Sequence, residues 1–460
     1  MLSITKIFNR KQNRSEHEAD SLGQPTVPLI VSRDQHNLSR SQVSPQALKV
    51  LYGLKDAGFE AYLVGGCVRD LLLGYEPKDF DVATNASPEE VHKLFKRSRL
   101  IGRRFKLVHV GFGREVIEVA TFRAPPEAEQ HIDQHGKIVQ DNVFGTLEQD
   151  AWRRDFTINA LYYNIRDFSI VDYTGGINDL QAGKIGLIGD VETRYREDPV
   201  RILRALRFVG KLGLTLERDT EKHIKGLAKL LQDIPPARLF DETLKLYLSG
   251  KAVETHQLLV EYGIFGHLFT DSARLLASEP ESTAAKLLTR ALENTDTRIK
   301  EGKPVTPAFL FAAILWGPTF ARWQNYQDKK IPPFPALQKA ANELISKQVQ
   351  RVAFPKRLTL VARDIWLLQI RLTMRQGKRA FRLLTHPKFR AAYDFLLLRS
   401  DAGEPFEELS QWWTDFQFAD ESEQQKMVGE LAPAPSKRKR RRRRGTTTKK
   451  SVVVSTNQAS

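Results

Sequence analysis

The chain has 460 residues, with 71 Lys and Arg against 55 Asp and Glu, and its net charge of +16 points to polyanionic partners. Its longest apolar runs, such as Leu71-Leu72-Leu73 and Phe395 to Leu398, fall far short of the roughly 20 residues a bilayer span needs, and no signal-peptide pattern is present. One cysteine, Cys67, and ten scattered histidines exclude an internal disulfide and a zinc cage, as suits a reducing cytoplasm.

Residues 1–44 are polar and without periodicity, and are expected to be a disordered extension. Regular structure is expected from Ser44-Pro45, where Ala47, Val50, Leu51 and Leu54 mark an amphipathic helix stopping at Gly58. A strand, Ala61 to Val64, runs into a Gly65-Gly66 turn and a short helix ending at Gly74. Asp79 to Thr84 alternates like a second strand. Ser87, Pro88 and Glu90 form a helix start with a capping box. Two strands are expected at 106–112 and 115–122, then a long polar loop over 124–150, and helix again near Trp152. Beyond a strand-and-turn region at 169–189, the pattern is helix after helix to about residue 400. Residues 432–460 hold ten bases and no acid, so the first 431 residues carry only +6 of the +16. The expected class is therefore α+β: a head with a small mixed sheet (45–190), a helical neck (191–270), a helical region (271–430) and a disordered basic tail (431–460).

Asp79 and Asp81 are two apart on the expected strand, so both carboxylates leave one face and can converge on a divalent cation. Asp-x-Asp alone also describes two exposed acids on an edge strand. The Gly65-Gly66 turn thirteen residues upstream, with Arg69 following, adds backbone N–H groups and a guanidinium fork suited to phosphate. Glu118 interrupts the apolar strand Val116 to Ala120, where it either shares that metal or pairs with Arg123. Three carboxylates so arranged fit two-metal phosphoryl or nucleotidyl transfer.

The strings Leu63-Val64-Gly65-Gly66-Cys67-Val68-Arg69-Asp70 and Lys78-Asp79-Phe80-Asp81-Val82 resemble the head signature of class II nucleotidyltransferases, the family of bacterial poly(A) polymerases and tRNA CCA-adding enzymes. The likeness continues through Glu118 to Arg123, Arg153-Arg154-Asp155-Phe156-Thr157-Ile158-Asn159, and Glu197-Asp198-Pro199-Val200-Arg201 to Phe208. It implies that Asp79 and Asp81 bind two Mg²⁺ ions with Glu118 as third acid, that Asp155 is catalytic, and that Gly65, Gly66, Arg69, Arg154 and Asn159 lie along the nucleotide. It makes Asp198 and Arg201 the readers of the incoming base, on a basic stripe continued by Arg204 and Arg207 that would otherwise be a solvated helix face. From the residues alone, Asp155 and Asn159 would share one helix face, and Asp198 before Pro199 would be an N-cap.

The flanks favour the poly(A) polymerase branch. Gly102 to Val110 and Ile234-Pro235-Pro236-Ala237-Arg238 to Glu242 resemble it, and no His-Asp dipeptide of a phosphohydrolase domain occurs. The expected activity is untemplated addition of AMP from ATP to RNA 3′ ends; the alternatives are CCA addition and a catalytically silent RNA-binding protein. RNA is expected along Arg351, Lys356, Arg357, Arg363, Arg371, Arg375, Lys378, Arg379 and Arg382, with Phe354, Trp366 and Phe381 as stacking faces or, on the helical spacing of Trp366, Leu367, Ile370 and Met374, as core. The run Lys437 to Arg444 is expected to bind any polyanion in a salt-sensitive way.

Overall fold

The computed structural model describes residues 27–102, 106–124 and 143–431. Residues 125–142 of the loop expected over 124–150, residues 1–26, Arg103 to Phe105 and the basic tail lie outside the described residues, and the end of that loop, from Leu147, is helix instead.

The head is an eight-stranded mixed sheet in the order β1-β8-β7-β2-β3-β6-β5-β4. Its strands are β1 (Leu29–Val31), β2 (Ala61–Val64), β3 (Asp81–Thr84), β4 (Ser98–Ile101), β5 (Leu107–Phe112), β6 (Glu115–Thr121), β7 (Leu161–Asn164) and β8 (Ile170–Asp172). Only β3 and β6 pair in parallel within it; the other neighbours are antiparallel. One register row crosses four strands. Val64 on β2 faces Asp81 on β3, Asp81 faces Glu118 on β6, and Glu118 faces His109 on β5.

Strand alternation sends Leu63, Val82, Val108, Val110, Ile117 and Val119 to one face, beneath α1 (Pro45–Asp56) and α3 (Pro88–Leu94). Ser44 caps α1 by accepting the Ala47 N–H at 3.1 Å, and Ser87 with Glu90 closes the capping box of α3. The opposite face carries Tyr62, Val64, Ala83 and Tyr162 and is packed by Leu147 and Ala151. Asp81 and Glu118 open on this second side. α2 (Gly66–Leu72) follows the β2 turn. Cys67 is buried on it; its thiol donates to the Val64 carbonyl at 3.2 Å and is pushed up to about 12 by burial, so it behaves as a small apolar residue.

α4 (Leu147–Trp152), α5 (Gly176–Ala182), α6 (Val191–Glu197) and α7 (Val200–Leu212) complete the head and open the helical body. α7 packs on the helices Pro236–Tyr247 and Ala252–Glu261. Further along, Pro307–Ile314 and Pro333–Arg351 pack against Lys356–Leu372. One continuous core runs from the head into this body, and a smaller one surrounds Trp413 and Phe389. Among the described residues no helix is long and apolar enough to cross a membrane.

Several expectations are corrected. Within 27–44 the chain is ordered: β1 pairs with β8, and two 3-10 turns follow. Three residues pairing with a segment 140 positions away leave no local periodicity to read. The second strand begins at Asp81, so Asp79 stands just before it. The expected helix at Trp152 ends there instead, and Leu161–Asn164 is a strand buried inside the sheet. Asp155 and Asn159 therefore share no helix face; Asn159 sits in a 3-10 turn. Pro199, not Asp198, caps α7, although the Asp198 carboxylate still accepts the Val200 N–H at 3.2 Å. Phe354 and Trp366 are core, Phe381 is half-buried, and Met374 lies exposed beyond the end of its helix.

Candidate active site

Gly65 ends β2 with φ +79° and ψ −135°, a backbone conformation open to glycine and strained for other residues. A Cβ there would stand 3.5 Å from Arg154 Nη1 and 3.8 Å from the Asn159 carbonyl. A Cβ on Gly66 would meet Arg69 Nη2 at 3.5 Å. The two glycines thus let the turn approach two guanidinium groups closely.

Asp81 lies at the mouth of this turn. It keeps solvent access, yet the surrounding atoms desolvate its carboxyl, and with the Glu118 and Asp79 charges they push it up to about 6; Arg154 pulls the other way. A carboxylate raised by burial and by neighbouring acids gains from a cation placed beside it. Glu118 is half-exposed and lies 3.6 Å from His109 Nε2. Among the described residues no three His, Cys, Asp or Glu side chains form a closed metal-holding group. Asp79 and Asp81, with Glu118 alongside, are thus an open set of hard oxygen donors, which suits an ion that takes one or two carboxylates and completes its shell from phosphate and water.

A second cluster joins α2 to α7. Arg69 is 3% exposed; its Nε donates to Asp70 Oδ1 at 2.8 Å and its Nη1 to Asn159 Oδ1 at 2.5 Å. Asn159 Nδ2 donates to Asp155 Oδ1 at 3.2 Å, and Arg204 Nε donates to Asp155 Oδ2 at 2.6 Å. Burial alone would raise the Asp155 carboxyl, but Arg204, Asn159 and the Phe156 N–H together hold it below the usual range. Asp155 is ionised, and both of its oxygens are engaged by Arg204, Asn159 and the Phe156 N–H. Beneath this chain, Phe208 takes the guanidinium groups of Arg207, Arg69 and Arg204 over its ring at 4.6, 5.0 and 5.8 Å. The basic stripe is therefore drawn inward rather than solvated. Burial and the neighbouring Arg204 push Arg207 down to about 10.

A third group lies at the junction of α6 and α7. Asp198 Oδ2 accepts from Arg238 Nη2 at 2.6 Å. Arg201 Nη1 donates to the Arg194 carbonyl at 2.6 Å and to Glu197 Oε2 at 3.0 Å. Arg194 in turn donates through Nη2 to the carbonyls of Arg153 and Arg154 at 2.9 and 2.5 Å, tying the base-reading candidates to the head.

Sequence reasoning missed Arg194, Arg238, Asp150 and Tyr162. Asp150 stands four residues before Arg154, a spacing that signals an ion pair on a helix; the other three touch the site only through tertiary packing. Of the basic residues expected to line RNA, Lys356, Arg357, Arg371, Lys378, Arg379 and Arg382 are exposed. Arg351 instead donates to the His267 and Gln232 carbonyls and holds two parts of the body together.

Three family models match the chain: a poly A polymerase head domain over residues 61–186, a probable RNA and SrmB-binding site of polymerase A over 213–276, and a polymerase A arginine-rich C-terminus over 329–446. Poly(A) polymerase I of Salmonella typhi is 49% identical over 446 residues, which is 95% of this chain and 96% of that protein. A CCA-adding enzyme of Lactobacillus helveticus is 40% identical over 217 residues, 47% of this chain and 53% of its own. The solved CCA-adding enzyme of Bacillus stearothermophilus in complex with CTP superposes with a TM-score of 0.53 at 25% identity, over 85% of this chain and 90% of that one.

Proposed function

Because the chain belongs to the poly(A) polymerase I family, we propose that it extends RNA 3′ ends with AMP from ATP, without a template, through the three clusters described above. It is a nucleotidyltransferase and a polynucleotide adenylyltransferase. Likeness to the CCA-adding enzyme of Lactobacillus helveticus covers about half of each chain, whereas likeness to poly(A) polymerase I covers nearly all of both.

The register of Asp81 against Glu118, beside the Gly65 turn and Arg154, is the observation that carries this reading. In it, the triphosphate lies over the Gly65-Gly66 turn, with Arg154 Nη1 facing it. Asp79 and Asp81, with Glu118 nearby, would hold divalent metal, two Mg²⁺ ions by the family resemblance. Such ions neutralise phosphate oxygens and lower the pKa of an attacking hydroxyl. The protein's own share is positioning. Arg69, Asn159, Asp155 and Arg204 fix the head against α7, and Asp198 and Arg201 present hydrogen-bonding groups to the base. The RNA 3′-hydroxyl attacks the α-phosphorus in line, forming the new phosphodiester bond as pyrophosphate leaves. RNA follows the exposed bases from Lys356 to Arg382. The single thiol, buried and protonated, suits work in a reducing cytoplasm.

Incubating the protein with a short unstructured RNA and each NTP separately tests this. Long A tails are expected. Addition of C and A that stops after a few residues would mark a CCA-adding enzyme, and no extension a silent RNA binder.

A second expectation concerns the tail. Removing residues 432–460 deletes ten positive charges and no acid, so RNA affinity should fall and the slope of log K against log salt should flatten, with each lost phosphate contact worth about 0.7 in that slope. ATP-over-CTP preference should not change, since the base-reading candidates lie at the junction of α6 and α7; a changed preference would contradict this division.

A further inference from the structure

Asp150 and Tyr162 are absent from the strings that carry the family likeness, yet with Arg154 they make a buried polar cluster beside the Gly65 turn. Asp150, on α4, is 5% exposed, and Tyr162, on β7, is fully buried. The Tyr162 hydroxyl donates to Asp150 Oδ2 at 2.7 Å and accepts from Arg154 Nε at 2.8 Å. Asp150 Oδ2 also accepts from Arg154 Nη2 at 2.9 Å and Nε at 3.2 Å, while Asp150 Oδ1 takes the Arg123 N–H at 3.3 Å. The guanidinium rests over the Tyr162 ring at 5.2 Å. Burial raises the phenol, so it stays protonated as donor to Asp150. The Arg154 charge, aided by the Tyr162 hydroxyl, outweighs burial and keeps the Asp150 carboxyl below its ordinary value.

This arrangement fixes one edge of a fork. Nε and Nη2 of Arg154 are consumed by Asp150 and Tyr162, and Nη1 is left beside Gly65, on the side where Arg154 acts on the Asp81 carboxylate. The peptide itself is held too, since the carbonyls of Arg153 and Arg154 accept from Arg194. A guanidinium with only one free edge is pre-organised for an anion at that edge, because little side-chain entropy remains to be lost on binding.

We propose that Asp150 and Tyr162 are positioning residues that aim Arg154 Nη1 at the β- and γ-phosphates of the incoming nucleotide, across the Gly65 turn. They touch no substrate. Their effect is on discrimination between a triphosphate and a monophosphate. The proposal rests on the adenylyltransferase reading, and its test separates the two.

The test measures equilibrium binding of ATP and AMP, each with Mg²⁺, to the full chain and to Tyr162→Phe, Asp150→Asn, Arg154→Ala and the double variant Arg154→Ala/Tyr162→Phe, with extension of a short RNA alongside. Tyr162→Phe keeps the ring and removes only the hydroxyl. Its ATP affinity should fall about 5- to 10-fold, the range of an ordinary hydrogen bond, and that of Asp150→Asn about 10- to 30-fold, toward the range of a hydrogen bond to a charged group, with AMP affinity unchanged. The double variant should bind ATP no more weakly than Arg154→Ala, because the hydroxyl acts only through that guanidinium. Equal losses for ATP and AMP, or a further loss in the double variant, would overturn the proposal and leave the pair a mere fold support. Should the wild type fail to extend RNA while the ATP-specific loss is seen, the positioning stands and the adenylyltransferase reading falls.

Discussion

Asp81→Asn should reduce AMP incorporation by at least about 10³-fold, equivalent to about 4 kcal/mol of transition-state stabilisation, while RNA affinity stays within about twofold of wild type. The substitution removes a negative oxygen from the row that also holds Glu118 and leaves the shape of the turn intact. A second, opposite readout accompanies it. The Asp81 carboxyl is raised to about 6 by burial and by the Glu118 and Asp79 charges, so above that pH its ionised form opposes folding in the absence of metal. Removing the charge should leave the metal-free melting temperature at pH 7.5 unchanged or higher. Loss of activity with retained or increased stability is the signature of a group kept for chemistry at some cost to the fold. Wild-type incorporation by Asp81→Asn would sink the active-site assignment, and a large drop in melting temperature would show that the residue is structural.

Arg204→Ala should cost about 3 kcal/mol of stability, the lower end for breaking a buried ion pair, because Arg204 itself is about one-third exposed. It strands Asp155, whose other partners are the Phe156 N–H and Asn159, as an under-compensated buried carboxylate. Asp155→Ala should cost less, about 1–2 kcal/mol, since the remaining Arg204 can turn to water. The double variant should be more stable than Arg204→Ala alone. The pH dependence follows from the depressed Asp155 carboxyl. A group held lower in the folded state stabilises fully above its unfolded value, about pH 3.9, and that contribution is lost as pH falls through the folded value. Denaturation midpoints of wild type and Arg204→Ala should therefore differ most at neutral pH and converge as pH drops below about 4. A constant gap down to pH 3 would mean that the pair is not the source. Activity should fall in both single variants, since the Arg69-Asn159-Asp155-Arg204 chain sets α7 against the head.

How much was legible depended on distance along the chain. Ala61–Val64, the Gly65-Gly66 turn and the Ser87 capping box could be read because their causes are local: alternation, a glycine pair, a cap with its reciprocal glutamate. Asp79 and Asp81 could be singled out as candidates by their spacing of two, although Asp79 stands before the strand and not on it. β1 and β4 could not. They are edge strands of three and four residues, and what makes them strands is a partner segment rather than their own pattern. Leu161–Asn164 is a strand that its own sequence does not mark, because a short apolar run has no period of its own. The basic stripe of α7 was legible as a stripe, but whether it met water or acids depended on where Asp155, Phe208 and Glu197 came to lie.

By itself, the sequence determined the class of chemistry: acids at short spacing beside a glycine turn in a basic chain, a pattern that local geometry makes compatible with a metal and a phosphate. Tertiary structure alone decided which of the named residues work together. It set Glu118 beside Asp81 through parallel pairing of β3 with β6, turned Asp155 toward Arg204, and closed Asp150 and Tyr162 on Arg154. Apart from the Asp150–Arg154 pair, four residues apart in sequence, these contacts join distant segments, and the chain's own periodicity cannot encode a pairing made only when those segments are buried together.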